Sequence, residues 1–147
     1  MNIRKATLDD LAQLAQLFDS FRVFYQKASD TQAAFLFLKQ RMQQGESEIF
    51  VAQNGTELCG FTQLYPLFSS TRMKRLWLLN DLYVAPPYRG KGKSKQLIEA
   101  AKNLCRQTNA CAVMLETAKS NLIGNNLYPA MGFELNTEFN FYEWPCP

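Results

Sequence analysis

A chain of 147 residues is long enough for one domain with a sizeable core and short for two. With 47% hydrophobic and 20% charged residues it is globular, and a net charge of +3 is too small to point to nucleic acid. There is no histidine, and Cys59, Cys105, Cys111 and Cys146 show no CxxC spacing, which argues against a zinc site and excludes Cys–His or Ser–His catalysis.

Read in order, Ile3 to Ala6 is a short strand. Thr7, three residues before Asp10, is an expected N-cap for a helix carrying Leu11, Leu14, Ala15, Phe18, Phe21 and Tyr25 at helical spacing. Asp30 is expected to cap a second helix with Phe35, Leu38 and Met42, ending near Gly45. The period then changes. Residues 49–53 and 57–65 flank Asn54-Gly55, a pair suited to a type I′ hairpin turn. Residues 69–74 read as a polar loop. Residues 75–84 (RLWLLNDLYV) read as a buried central strand that ends at Pro86-Pro87. From Ser94 the apolar positions Leu97, Ile98, Ala101, Leu104 and Cys105 make an amphipathic helix. Residues 112–117 form another expected strand, residues 121–131 a short helix broken at Gly132, and residues 133–138 and 139–144 two closing strands. The order predicts one α/β domain over residues 1–147 with a mixed sheet of about seven strands and about four helices.

The segment joining the central strand to the amphipathic helix carries the chemistry. Between Arg72 and Lys95 seven cations stand against the single acid Asp81. Arg89-Gly90-Lys91-Gly92-Lys93-Ser94 places two glycines just before a helix, whose N-terminal amides and partial positive charge suit a phosphate group. The loop is neither a P-loop nor a full dinucleotide fingerprint. By itself it reads equally well as a basic turn.

A second motif changes the weight. Asn121, a short helix, then Leu127-Tyr128-Pro-Ala-Met-Gly132-Phe133 follows the glycine loop after one helix and one strand. Together the two motifs resemble the GNAT superfamily of N-acetyltransferases, with the same element order over essentially the whole chain. Ser94 stands where that family ends its first motif in Gly or Ala, Gly124 where Ala is usual, and Pro129 directly after the tyrosine.

The resemblance implies an N-acetyltransferase that passes the acetyl group of acetyl-CoA directly to an amine. The backbone of Leu82, Tyr83 and Val84 would pair with the pantetheine arm, with an N–H near Leu82 stabilising the oxyanion. Amides from Arg89 through Ser94 (Arg89, Gly90, Lys91, Gly92, Lys93, Ser94) would hold the pyrophosphate. Asn121 would contact the arm, and Tyr128 would protonate the leaving thiolate. That reaction needs positioning, oxyanion donors and proton transfer, but no metal and no covalent intermediate.

Several residues keep two readings. Asn121 also suits a helix cap, Tyr128 a half-buried ring, and Asp81 a bulge or a structural ion pair. Tyr25, Trp77, Asp81 and Glu116 are candidates for the acceptor side, with Phe24, Tyr65, Phe68, Phe139 and Tyr142 as further lining rings and Glu46, Glu48, Glu138 and Glu143 as carboxylates for a cationic acceptor. The expected acceptor is a primary amine of a small molecule, polyamine-like by resemblance. A protein or peptide amine and a non-catalytic acyl-CoA-binding module are the alternatives. Neither nucleic acid nor membrane is an expected partner. The start MNIRKATLDD has no apolar targeting core, so the cytoplasm is the expected compartment. The apolar closing segment EFNFYEW predicts a homodimer.

Overall fold

A computed structural model describes residues 2–147. The chain forms two compact units, one ending at Glu116 and one spanning Thr117–Pro147.

The first unit is a sheet covered by helices on both faces. Its elements are β1 (Asn2–Lys5), α1 (Leu11–Phe24), α2 (Thr31–Gln43), β2 (Glu48–Asn54), β3 (Glu57–Ser69), β4 (Lys74–Val84), α3 (Lys93–Gln107) and β5 (Val113–Met114). The sheet runs β1-β2-β3-β4-β5, antiparallel throughout except where β5 joins β4 in parallel. Alternation along the strands divides the core in two. Leu14, Phe18 and Leu38 of α1 and α2 pack on one face with Ile49, Val51 and Phe61. Leu97 of α3 packs on the other with Ala52, Cys59 and Val84. Burying a leucine such as Leu14, Leu38 or Leu97 contributes about 1.5–3 kcal/mol, so these contacts decide where the helices lie.

The caps follow the local chemistry. Asp30 accepts the Ala33 N–H at 3.0 Å and starts α2. The Asp10 carboxylate accepts the Thr7 N–H at 2.8 Å across a 3₁₀ turn over Leu8–Asp10, and both its oxygens take Arg4 at 2.8 Å. The hairpin turn differs by one residue from its expected place. Asn54 pairs with Glu57, so Gly55 and Thr56 are the central residues. A type I′ turn needs positive φ at both centres, and only Gly55 has it, at 61°.

β3 is longer than its predicted stretch and passes through Pro66. Pro66 faces Trp77, whose N–H points the other way, to Ala112 O at 2.9 Å. The pair is therefore one of the ladder positions without mutual hydrogen bonds, and a residue lacking an N–H fits there.

The second unit contains α4 (Leu122–Ala130) and no strand among its described residues. This corrects the expected count: the described sheet has five strands, where about seven were expected. Residues 133–138 and 139–144 do not join it. Asn136 Oδ1 accepts the N–H groups of Glu138 and Phe139 at 2.9 and 3.3 Å, an Asx turn that diverts the ladder donors. The strand expected over residues 112–117 shortens to Val113–Met114, because its pairing with β4 stops at Leu78.

Candidate functional site

The centre of β4 holds an irregularity, one of the two readings that Asp81 left open. Gln63 of β3 faces Asp81 and Leu64 faces Leu79, so Asn80 is an extra residue on β4. Such a bulge shifts the hydrogen-bonding frame by one. Below it, Arg75 O and Trp77 N face β5, bonding Cys111 N at 2.7 Å and Ala112 O at 2.9 Å. Above it, Ala85 N faces β3 and bonds Cys59 O at 2.8 Å. Alternation then turns the backbone groups of Leu82 and Val84 away from β3. Among the described residues no strand pairs with β4 on that side beyond Leu78. A row of main-chain donors and acceptors is thus offered to an extended ligand.

Asp81 keeps the bulge in shape. Its side chain, 3% exposed, accepts Gln63 Nε2 at 2.6 Å and Asn80 Nδ2 at 2.8 Å. Both partners are amides rather than a cation, which favours the bulge role over the ion pair. Burial raises its pKa, against the lowering effect of the two amides. Tyr65, opposite Leu78 on β3, has its phenol pushed up to about 12 by burial and then by the nearby Asp81.

β4 leads into the glycine loop. A 3₁₀ turn over Pro86–Tyr88 follows, then Gly90 and Gly92 with φ of 75° and 78°, and α3 starts at Lys93. A Cβ on either glycine would meet nothing within 4 Å, so backbone conformation alone calls for glycine there. At the start of α3, Gln96 N bonds Gly92 O at 3.1 Å, the first turn of the helix. The amides of Lys93, Ser94 and Lys95 come before it and have no acceptor within the helix. They form the donor cluster that suits a phosphate.

Arg89 is turned inward. Its Nε donates to Val84 O at 2.7 Å, its own N–H goes to Pro86 O at 3.2 Å, and its guanidinium lies over the rings of Tyr83 and Phe24 at 5.4 and 5.7 Å. It braces the end of β4. Lys91 is exposed with its Nζ 5.9 Å from the Tyr88 ring, and Lys93 Nζ lies 3.4 Å from Gln96 Oε1.

On the acceptor side the candidates separate. Tyr25 is half exposed at the end of α1, edge-on to Phe21 at 4.9 Å, and Phe21 reaches Tyr83 at 6.3 Å. These rings join Tyr25 to the site strand. Trp77, 2% exposed, gives its indole N–H to Thr108 Oγ1 at 2.9 Å and belongs to the core. Glu116 is exposed two residues past β5. Glu46 and Glu48 are paired to Arg41 and Lys5. Thr62, Gln63 and Asn80 were not singled out from the sequence. The signal was there: Thr62-Gln63 interrupts an otherwise apolar strand, and both are fully buried.

In the second unit, Asn121 caps α4. Its Oδ1 accepts Gly124 N at 3.1 Å and its Nδ2 donates to Thr117 Oγ1 at 2.9 Å. A Cβ on Gly124 would lie 2.5 Å from that Nδ2 and 3.2 Å from Tyr128 Cε2, which accounts for glycine where alanine was expected. The helix ends in a Schellman motif. Phe133 N bonds Tyr128 O and Gly132 N bonds Pro129 O, each at 3.0 Å, with Gly132 at φ 90°. The Phe133 ring meets the Tyr128 ring edge-on at 5.8 Å. The motif Leu-Tyr-x-x-x-Gly-Phe is therefore a helix stop that fixes its tyrosine. Pro129 sits in the last turn, where the N–H it lacks would have bonded only Asn125 O.

Among the described residues no group of three or more His, Cys, Asp or Glu could hold a metal ion, and no helix is long and apolar enough to cross a membrane.

Known proteins share these features. The model of the acetyltransferase (GNAT) family matches residues 14–133, running through both the glycine loop and the Tyr128 helix. An uncharacterized N-acetyltransferase of Bacillus subtilis, YhfO, is 46% identical over 142 residues, covering 97% of this chain and 95% of its own. The crystal structure of a probable acetyltransferase superposes with a TM-score of 0.95 at 38% identity, over 100% of this chain and 99% of that one. AAC(6')-Iy, solved in complex with the bisubstrate analog CoA-S-monomethyl-acetylneamine, shares the fold with a TM-score of 0.82 at 21% identity, over 99% of this chain and 98% of that one. On the strength of the family match and the 46% identical relative, the chain belongs to the GNAT family and is an acetyl-transferring enzyme.

Proposed function

We propose that this enzyme transfers the acetyl group of acetyl-CoA directly to a primary amine of a small, polyamine-like molecule in a ternary complex. The observation that carries the reading is continuous main chain: the open side of β4 above the bulge runs into two left-handed glycines and the start of α3. Leu82, and Val84 through its N–H, offer the backbone groups that a pantetheine arm would pair with, the Val84 carbonyl being held by Arg89. The amides of Gly90 to Ser94 meet the pyrophosphate. AAC(6')-Iy, which shares this fold, was solved with an analog containing CoA, and that supports the choice of donor.

In the reaction the deprotonated amine attacks the thioester carbonyl carbon. Negative charge grows on the carbonyl oxygen, where the Leu82 N–H receives it. The C–S bond then breaks, the thiolate takes the proton of the Tyr128 hydroxyl, and the proton released by the amine returns through water to the phenolate. Asn121 fixes the start of the Tyr128 helix and would contact the cofactor arm. Tyr25 and Asp81 stand on the acceptor side, and Trp77 supports them from the core. Glu116 is available to a cationic acceptor. Residues 1–147 act as one N-acetyltransferase domain in the cytoplasm, where the four cysteines stay reduced. The enzyme is a homodimer joined through the exposed aromatic segment after Phe133.

Calorimetric titration with acetyl-CoA and CoA tests the donor site. Wild type is expected to bind both in the micromolar range. Gly92→Glu, which puts a carboxylate and a strained φ at the phosphate position, is expected to abolish binding. A screen of amines, polyamines first and peptides last, with acetylated product read by mass, then names the acceptor. Failure of folded wild type to bind CoA would overturn the reading.

A further inference from the structure

Thr62 lies at the centre of the sheet with no exposed surface, and its hydroxyl donates to the carbonyl oxygen of Asp81 at 2.8 Å. That carbonyl is one end of the peptide group whose other end is the Leu82 N–H. A trans peptide points the two in opposite directions. The carbonyl faces β3 and Thr62, so the N–H faces the open side of β4. Thr62 pairs with Leu82 across the ladder at a position without mutual hydrogen bonds, so its side chain is the group positioned to hold this peptide from below. The bulge makes that hold necessary. An extra residue at Asn80 loosens the ladder just where the peptide plane has to be fixed. The Asp81 side chain is held by Gln63 and Asn80, and the Asp81 carbonyl by Thr62.

A buried strand position between Phe61 and Leu64 has no packing need for a hydroxyl, since valine has the same shape. What the hydroxyl adds is electronic and geometric. A hydrogen bond to an amide carbonyl polarises the amide and strengthens its N–H as a donor, an effect of about 10–30% per bond. It also fixes the plane in which that N–H points. We infer that Thr62 is a positioning residue for acetyl transfer: through the Asp81–Leu82 peptide it aims and strengthens the N–H that receives the thioester oxygen. The inference rests on the proposed oxyanion role of Leu82.

The probe is acetyl-CoA labelled with carbon-13 at the acetyl carbonyl, followed by infrared difference spectroscopy on the bound complex. Affinity comes from calorimetry, and no acceptor is required. In wild type the carbonyl band is expected to move to lower frequency than in free acetyl-CoA. In Thr62→Val, which keeps shape and removes the donor, affinity should stay within roughly twofold. The band should return by roughly half towards its free position, because one preorganised donor is weakened and not removed. Thr62→Ser, which keeps the hydroxyl, should restore the wild-type band. Thr62→Ala asks the same question as Thr62→Val if the valine variant does not fold. A wild-type band in folded Thr62→Val or Thr62→Ala overturns the role of Thr62. A band unshifted in wild type itself overturns the oxyanion reading of Leu82, and with it the inference.

Discussion

At the scale of single residues, the carboxylates of this protein titrate in opposite senses. Asp19 accepts Ser29 Oγ and the Asp30 N–H, both at 2.7 Å, and these bonds hold its pKa below the usual carboxylate range. Asp10 is lowered too, first by the Arg4 guanidinium. A depressed pKa adds stability that is present above the unfolded value, about 3.9, and is lost as pH falls through the folded one. Asp81 is the reverse. Burial favours its protonated form in the folded state, so its contribution is greatest in acid and declines as pH rises from the unfolded value through the raised one. Asp19→Asn should therefore cost about 1–2 kcal/mol near neutral pH, with the deficit shrinking in acid. Asp81→Asn should gain on wild type as pH rises from 4 to 8, a span around the carboxylate range. Urea midpoints across that span read both. Equal pH slopes for the two variants would contradict the assignment. The phenol of Tyr65, pushed up to about 12, should be late to ionise in an alkaline absorbance titration, and Tyr65→Phe should remove that step.

At the scale of elements, the end of α4 shows what a family motif is made of. Gly132 occupies the left-handed position, Tyr128 accepts the bond from Phe133, and the two rings meet. Gly132→Ala should destabilise this helix end by about 1 kcal/mol, since φ of 90° strains any Cβ. It should also lower turnover through a misaimed Tyr128 while leaving CoA affinity in place. Tyr128→Phe should cut turnover about 100-fold or more, the scale of a lost general acid, again with CoA affinity kept. Steady-state kinetics with the acceptor found by screening, beside calorimetry, separates these effects. Much of this was legible in the sequence. The caps at Asp30 and Asn121, the stop at Gly132 and the glycine loop all stand on local rules, so residue type and spacing suffice. A bulge was one of two readings that the polar Asn80-Asp81 pair left open, and its position was not legible, because the extra residue shows only in the register with β3. Its partners Thr62 and Gln63 lie on another strand, and only the ladder brings them opposite. The inward turn of Arg89 was not legible for a similar reason: its charge is visible in sequence, but its bond back to Val84 is a property of the fold.

At the scale of the whole molecule, charge and apolar surface are unevenly divided. Up to Glu116 the chain carries fifteen Lys and Arg against ten Asp and Glu, and from Thr117 onward one Lys against three Glu. The acidic unit also bears Phe139, Phe141, Tyr142 and Trp144, each more than three-quarters exposed. Monomers seldom leave so many neighbouring rings in water. Residues 135, 139 and 141 share the parity of one strand face, so the segment has the pattern of a strand without a strand's partner. In the proposed dimer a second copy would supply what is missing: a sheet whose last described member, β5, is only two residues long, on a unit of opposite charge. Each copy has one segment to give and one edge to receive it, which is the condition for a closed two-fold dimer. Sedimentation equilibrium should accordingly find a dimer. Phe139→Ser with Phe141→Ser should shift it to monomer while the far-ultraviolet spectrum of the first unit is kept. Raising salt should weaken the dimer only modestly, since buried rings and not screened charges carry most of the association. A wild-type monomer at concentrations where the enzyme is active would show that the aromatic segment serves some other end than self-association.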